Sequence, residues 1–178
     1  EIEALHRVMR DVPKPVIAAV NGLAIGGGHV LHVLADLTIA ADTATFGQNG
    51  PRVGSFDAGM GSGYLARVVG EKRAREIWFM LRRLSAQEAL DWGLVNKVVP
   101  ADQLTAEVRA WADHMLQFSP TSIKVLKQSF NTDTEQFMAI GQMAVTTLKL
   151  FSETEEAKEG ITAFNAKRQP DFSAYRGN

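Results

Sequence analysis

The stretch Val16-Ile17-Ala18-Ala19-Val20-Asn21-Gly22-Leu23-Ala24-Ile25-Gly26-Gly27-Gly28-His29-Val30-Leu31 decides the fold. Residues 16–20 form a short continuous apolar run, the pattern of a buried strand. Asn21-Gly22 is a turn signal. Three glycines follow, and residues 28–35 read as a helix that starts directly on them. Leu37-Thr38-Ile39-Ala40-Ala41 is a second buried strand. Strand, glycine turn, helix and strand make a parallel α/β pattern.

The glycine turn admits three readings. It could cradle a phosphate, but the G-x-G-x-x-G spacing and a following Lys-Ser/Thr are both missing. It could allow close helix–strand packing. It could present free backbone N–H groups at a helix start, where the dipole favours negative charge. That last use suits an oxyanion hole, where one lost donor costs about 3 kcal/mol of transition-state stabilisation.

Downstream, residues 47–62 hold five glycines and little apolar periodicity. So long a connection is often functional. Helices follow at 63–69 and 72–81. Ser85-Ala86-Gln87-Glu88 is a capping box, Gly93 stops its helix, and residues 94–99 read as a strand closed by Pro100. Beyond it, 102–117, 120–130, 133–151 and 153–168 read as helices. The third carries Phe137, Ile140, Ala144, Leu148 and Phe151 on one stripe. Ser152 with Glu155 reads as a capping box for the last one. An α/β portion (1–100) thus precedes a helical portion (101–178) that ends in a tail.

The chain has 178 residues, 46 % apolar and 22 % charged, with net charge −1. That is ordinary for one soluble globular domain. No basic excess points to nucleic acid. No apolar run nears the roughly 20 residues that span a bilayer. There is no cysteine, hence no disulfide, thiolate metal site or catalytic thiol. A cytoplasmic protein is expected. Ile2, Leu5, Val8 and Met9 recur at helical spacing, so the chain opens inside a helix and an upstream segment is expected.

The phrases Asn21-Gly22-Leu23-Ala24-Ile25-Gly26-Gly27-Gly28, Ala35-Asp36-Leu37-Thr38-Ile39-Ala40-Ala41, Phe46-Gly47-Gln48 and Ser85-Ala86-Gln87-Glu88-Ala89-Leu90-Asp91-Trp92-Gly93-Leu94-Val95 together resemble the crotonase (enoyl-CoA hydratase/isomerase) superfamily. The resemblance covers essentially the whole chain. It implies a β/β/α spiral core with a helical C-terminal portion, acyl-CoA substrates, and assembly as a homotrimer or hexamer. It gives Gly27 an N–H for the thioester carbonyl, and a second N–H from an earlier turn that this chain lacks. It puts Phe164 and Lys167 against coenzyme A.

Crotonase hydratases carry two glutamates as acid and base. The matching positions here are Val30 and Gly50, and neither can move a proton. The run Gly47-Gln48-Asn49-Gly50-Pro51-Arg52-Val53-Gly54-Ser55-Phe56-Asp57, with Gly28-His29-Val30-Leu31-His32, resembles instead the dihydroxynaphthoyl-CoA synthases of menaquinone biosynthesis. These close a ring by intramolecular Claisen condensation. The resemblance implies Ser55 and Asp57 at the second carbonyl. It also implies bicarbonate as base beside Gly50, held by Gln48, Asn49 and Trp78. One departure is Ser152, where that family has tyrosine. Asp11-Val12-Pro13-Lys14-Pro15 and Ser129-Phe130-Asn131 are similar to the ring-opening 2-ketocyclohexanecarboxyl-CoA hydrolases. A non-catalytic CoA-binding homologue is the reading from a different class.

Each of these residues also has a plainer use. Asp57 and Ser55 suit a turn, and Trp78 suits a core. Lys167 suits a surface ion pair, and Asp36 a local pairing. His29 and His32 stand at i, i+3 without a third metal ligand, so they read as structural and no metal is expected.

Overall fold

The computed structural model describes residues 2–57 and 60–176; of Ala139 and Gln142 only the backbone is described. Helix α1 (Ile2–Asp11) leads into β1 (Ile17–Val20) and β2 (Leu23–Ile25). Helix α2 (Gly27–Leu34), β3 (Leu37–Ala41) and β4 (Thr45–Gly47) follow. After a one-turn helix at Gly50–Arg52 come α3 (Gly63–Val69), α4 (Glu71–Phe79), β5 (Leu84–Ser85), α5 (Ala86–Asp91) and β6 (Lys97–Val99). The helical portion is α6 (Leu104–Met115), α7 (Pro120–Thr132), α8 (Gln136–Ser152) and α9 (Glu155–Asn165).

The strands form two small sheets, ordered β1-β3-β6 and β2-β4-β5. The first is parallel, with Ile17 opposite Leu37 and Ile39 opposite Lys97. In the second, β2 and β4 are parallel while β4 and β5 run antiparallel. The pairs β1–β2 and β3–β4 each place one strand in either sheet before the chain turns into helix, which is the β/β/α spiral. The sequence reading ran from the first strand to the glycines through a bare turn. Instead, β2 intervenes, and α2 starts from the second sheet. Three residues are too short for a period-2 signal.

β3 is buried as its apolar run requires, but β1 is only half-buried, with Ala19 exposed. The cause is position, since β1 is an edge strand of its sheet. In residues 94–99 only Lys97–Val99 pair as a strand. Leu94 and Val95 are buried in the core, and their N–H groups return to the Ala89 carbonyl at 2.8 and 3.3 Å. Ser85 caps α5 through the expected box with Glu88, and Gly93 takes φ +73° just past its end. Ser152 does not cap the last helix. It ends α8 and donates to the Lys149 carbonyl at 2.7 Å, and Thr154 caps α9 by accepting the Ala157 N–H.

The main core joins Phe46, Leu65, Ile77 and Leu84 to small residues such as Ala24, Ala74 and Ala89. A second cluster, Val30, Leu34 and Met60, lies against Met9 and Phe137 beneath α1 and α8. Helix α1 is turned inside out. Leu5 and Val8 are exposed, while His6 and Arg10 are 4 % exposed each. Arg10 donates to the Asn131 carbonyl at 2.8 Å and to Thr134 Oγ1 at 2.9 Å. Among the described residues no helix is long and apolar enough to cross a membrane.

Candidate active site

Gly26 makes the turn into α2 with φ +58°, a conformation that costs glycine little. Its N–H donates to the Gly47 carbonyl at 3.0 Å, and its own carbonyl accepts the Val30 N–H. The first-turn N–H groups, Gly27 included, have no acceptor within the helix. A Cβ added at Gly26, Gly27 or Gly28 would meet nothing within 4 Å. Close helix–strand packing is therefore not what the triplet serves. The glycines leave open space in front of a helix start.

Behind the turn lies a buried polar chain, with His29 Nε2 left without a protein partner. His29 Nδ1 and His32 Nε2 are 3.3 Å apart, and His32 Nδ1 is 3.4 Å from Thr38 Oγ1, which donates to the His32 carbonyl. The rings meet edge to face at 4.8 Å. Burial drives His29 down to about 4, helped by the Arg83 charge. It drives His32 to about 2, helped by His29. Two neutral rings that hydrogen-bond each other act as structure.

In front of the turn is a cavity of about 290 Å³. Its wall includes Gly27, Gln48, Gly50, Ser55, Asp57 and Trp78, so it brings together the residues expected at the thioester, the second carbonyl and the anion. Asp57 accepts the N–H groups of Gly61 at 3.0 Å and Ser62 at 2.5 Å. Those two bonds fix the carboxylate on its loop. Gly61 is the glycine that makes this convergence possible. A Cβ there would lie 2.6 Å from Val30, 3.0 Å from Asp57 Oδ1 and 3.4 Å from Trp78. Ser55 Oγ is 3.5 Å from the Phe56 carbonyl, the outer limit of a hydrogen bond. An adjoining cavity of about 490 Å³ shares Phe56, Asp57 and Trp78 and continues to Ala66 and Phe79.

The residues fit a bicarbonate ion only in part. Gln48 is 1 % exposed, and its Nε2 is a buried donor without a protein partner. But the Trp78 indole N–H donates to the Gly61 carbonyl at 3.4 Å. Asn49 Oδ1 accepts from Arg83, at 3.4 Å. A Cβ at Gly50 would meet the Ser55 carbonyl oxygen at 3.1 Å, so the missing side chain is filled by the loop itself. Phe164 and Lys167 lie elsewhere, on a separate cavity of about 450 Å³ with Arg52, Arg83 and Arg168. Asn49 lines both cavities.

Two contributors were not visible to the sequence reading. Leu148 of α8 lines the cavity, and the Phe56 and Phe151 rings, 5.6 Å apart, hold the loop against the same helix. His6 of α1 is the other. The available signal was the spacing of Glu3, His6 and Arg10, a polar face opposite Leu5 and Val8.

The enoyl-CoA hydratase/isomerase family model matches residues 1–175. An enoyl-CoA hydratase from Mycobacterium avium subsp. paratuberculosis K-10 is 31 % identical with TM-score 0.90, over 96 % of this chain and 70 % of that one. A methylmalonyl-CoA decarboxylase is 28 % identical with TM-score 0.83, over 96 % and 68 %. A monofunctional enoyl-CoA isomerase from M. smegmatis is 36 % identical with TM-score 0.70, over 75 % and 63 %. The spiral of two sheets, the open glycine turn and these matches agree: the chain belongs to the enoyl-CoA hydratase/isomerase, or crotonase, family, whose members process CoA thioesters.

Proposed function

We propose that this protein makes or breaks a carbon–carbon bond at the α-carbon of a CoA thioester. The reaction proposed first is ring closure of o-succinylbenzoyl-CoA, the 1,4-dihydroxy-2-naphthoyl-CoA synthase activity of menaquinone biosynthesis. One observation carries it. A single cavity is lined by Gly27, Ser55 and Asp57, while the two hydratase positions are Val30 and Gly50. In this reading the Gly27 N–H draws negative charge onto the thioester oxygen and so stabilises the enolate. Ser55 and Asp57 bind and protonate the second carbonyl. Phe164 and Lys167, in a cavity rich in arginine, suit the CoA phosphates. Exposed Phe130 and Met143 on α7 and α8 suit a trimer or hexamer.

Ring opening of a cyclic β-ketoacyl-CoA is the second reading. Ser152 favours it: its hydroxyl is spent on the Lys149 carbonyl at the exposed end of α8 and so does not stand in for the synthase tyrosine. The deciding assay gives purified full-length protein o-succinylbenzoyl-CoA, then 2-ketocyclohexanecarboxyl-CoA, with and without bicarbonate. Naphthoyl product supports the synthase, and ring-opened product the hydrolase. Thioester binding without turnover of either would leave only a CoA-binding homologue.

A further inference from the structure

A base is needed in either direction, and neither position 30 nor position 50 holds a carboxylate. Among the described residues lining the cavity with Gly27, two carry ionisable side chains, Asp57 and His6. His6 is 4 % exposed and faces inward on a helix whose Leu5 and Val8 face out. That arrangement is costly for α1, because burying a polar side chain instead of Leu5 or Val8 forfeits hydrophobic stabilisation. Burial holds His6 below the usual imidazole range, against the opposing pull of Asp57 and Glu3. Gly27, Val30 and Leu148, the cavity residues from α2 and α8, carry no charge, and Glu3, Arg7 and the buried Arg10 are the charged residues nearest it on its own helix. A neutral imidazole beside a fixed carboxylate can accept a proton at neutral pH.

We propose that His6 is the proton-transfer residue of this site, supplying from the chain itself the base that positions 30 and 50 lack. The inference rests on the carbon–carbon reading above but not on its direction. In ring closure, the His6 imidazole takes the α-proton, and the electron pair passes into the enolate whose oxygen faces the Gly27 N–H. The α-carbon attacks the carboxylic acid carbon. That C–C bond forms, the C–OH bond breaks, and the imidazolium returns its proton to the departing hydroxide as water. In ring opening, His6 takes a proton from water and hydroxide adds to the ketone carbon. The C–C bond breaks with its pair entering the enolate, and the imidazolium protonates the α-carbon. Ser55 and Asp57 bind and transiently protonate the carbonyl undergoing addition, and Asp57 recovers its proton when that carbonyl re-forms. No bicarbonate is consumed or required.

The test measures kcat and KM for wild type, His6→Gln, His6→Ala and Asp57→Asn on both substrates. Buffers are carbonate-free or bicarbonate-supplemented, from pH 5 to 9, and circular dichroism checks the fold. Wild type is expected to turn over equally well in both buffers. His6→Gln should lower kcat by about 100-fold with KM nearly unchanged, in the range of general base catalysis. The acid limb of the wild-type kcat/KM profile should vanish with it, and added imidazole should restore part of the His6→Ala activity. Loss in Asp57→Asn with His6→Gln unimpaired would overturn the role of His6 and spare the carbon–carbon reading. Wild-type turnover that requires bicarbonate would do the same. A wild type inert toward both substrates would overturn both.

Discussion

Asp57 accepts two backbone N–H groups, from Gly61 and Ser62, so its carboxylate is aimed before any substrate arrives. Asparagine keeps the shape and one acceptor oxygen but removes the charge and the exchangeable proton. Asp57→Asn should therefore cut turnover at least about tenfold, and by as much as the 10²–10⁴ that acid–base catalysis is worth, and leave the unfolding midpoint nearly unmoved. A variant with unchanged steady-state kinetics would remove Asp57 from the chemistry. His29 and His32 make the opposite kind of claim, about stability. Folded, they resist protonation until about pH 4 and about pH 2, whereas unfolded they take up protons near pH 6.5. Their contribution is complete above pH 6.5. It falls as pH drops below that, by roughly 1.4 kcal/mol per unit for each ring, until the folded ring protonates. Denaturant midpoints should decline steadily from pH 6.5 to 4.5, and His32→Asn should flatten the slope. An unaltered slope in that variant would mean that the pair is not held neutral.

Long helical segments and the Ser85 cap were legible in the sequence; the short strands were not, and the last cap falls on Thr154, two residues beyond the expected Ser152. The Ser85–Glu88 box and the β3 run formed as read because local chemistry decides them. β2, β4 and β5 span three, three and two residues, and only pairing across the fold makes them strands. The loop residues Ser55 and Asp57 could be read from motif, but His6 could not. Its helix gave an apolar stripe of which the structure turns Leu5 and Val8 outward and only Met9 toward the core. Nor does any periodicity reveal how α9 meets the active-site loop. A Cβ at Gly54 would lie 2.1 Å from the Ala157 carbonyl oxygen, and one at Gly160 would lie 2.2 Å from the Gly54 nitrogen. Backbone touches backbone, with Ser55 the next residue along. No rotamer can relieve a methyl group there, so Gly160→Ala must push the helix off the loop. Overpacking of this kind costs about 1–3 kcal/mol or more. It should lower the melting temperature and reduce kcat together, since the displaced loop carries Ser55 and Asp57. Gly22→Ala, with nothing within 4 Å of its Cβ, should change stability by no more than about 0.5 kcal/mol. Equal melting temperatures for the two variants would dissolve the proposed coupling between helix and loop.

Buried polar ties join the helical portion to the α/β portion across the whole molecule. Lys127 on α7 is 6 % exposed, and its Nζ donates to the carbonyls of Met9 and Lys14 at 2.8 and 3.0 Å and to Asp36 Oδ2 at 2.7 Å. Asp36 in turn accepts the Val16 N–H at 2.7 Å. One ammonium thus ties α7 to the end of α1, to the approach to β1 and to the turn between α2 and β3. Asn131 adds a bond to the Arg10 carbonyl at 2.8 Å, returning the tie to the helix that carries His6. Such a pair can be replaced at little loss only if both partners go together, because a lone buried charge keeps its desolvation penalty. Lys127→Met leaves Asp36, whose side chain is 27 % exposed, with one backbone donor, and two carbonyls without their ammonium. It should cost about 1–3 kcal/mol, and a melting temperature lower by roughly 2–12 °C follows from about 2–4 °C per kcal/mol at this chain length. The double variant Lys127→Met with Asp36→Asn should recover part of that loss, which a thermodynamic cycle reads as coupling. Because α1 hangs from this tie, Lys127→Met should also weaken turnover at temperatures where the protein is still folded, while Asp36 and Lys127 lie outside the catalytic cavity. A single cooperative unfolding transition in wild type, and full activity with unchanged stability in the single variant, cannot both hold if the tie carries the load that its geometry assigns.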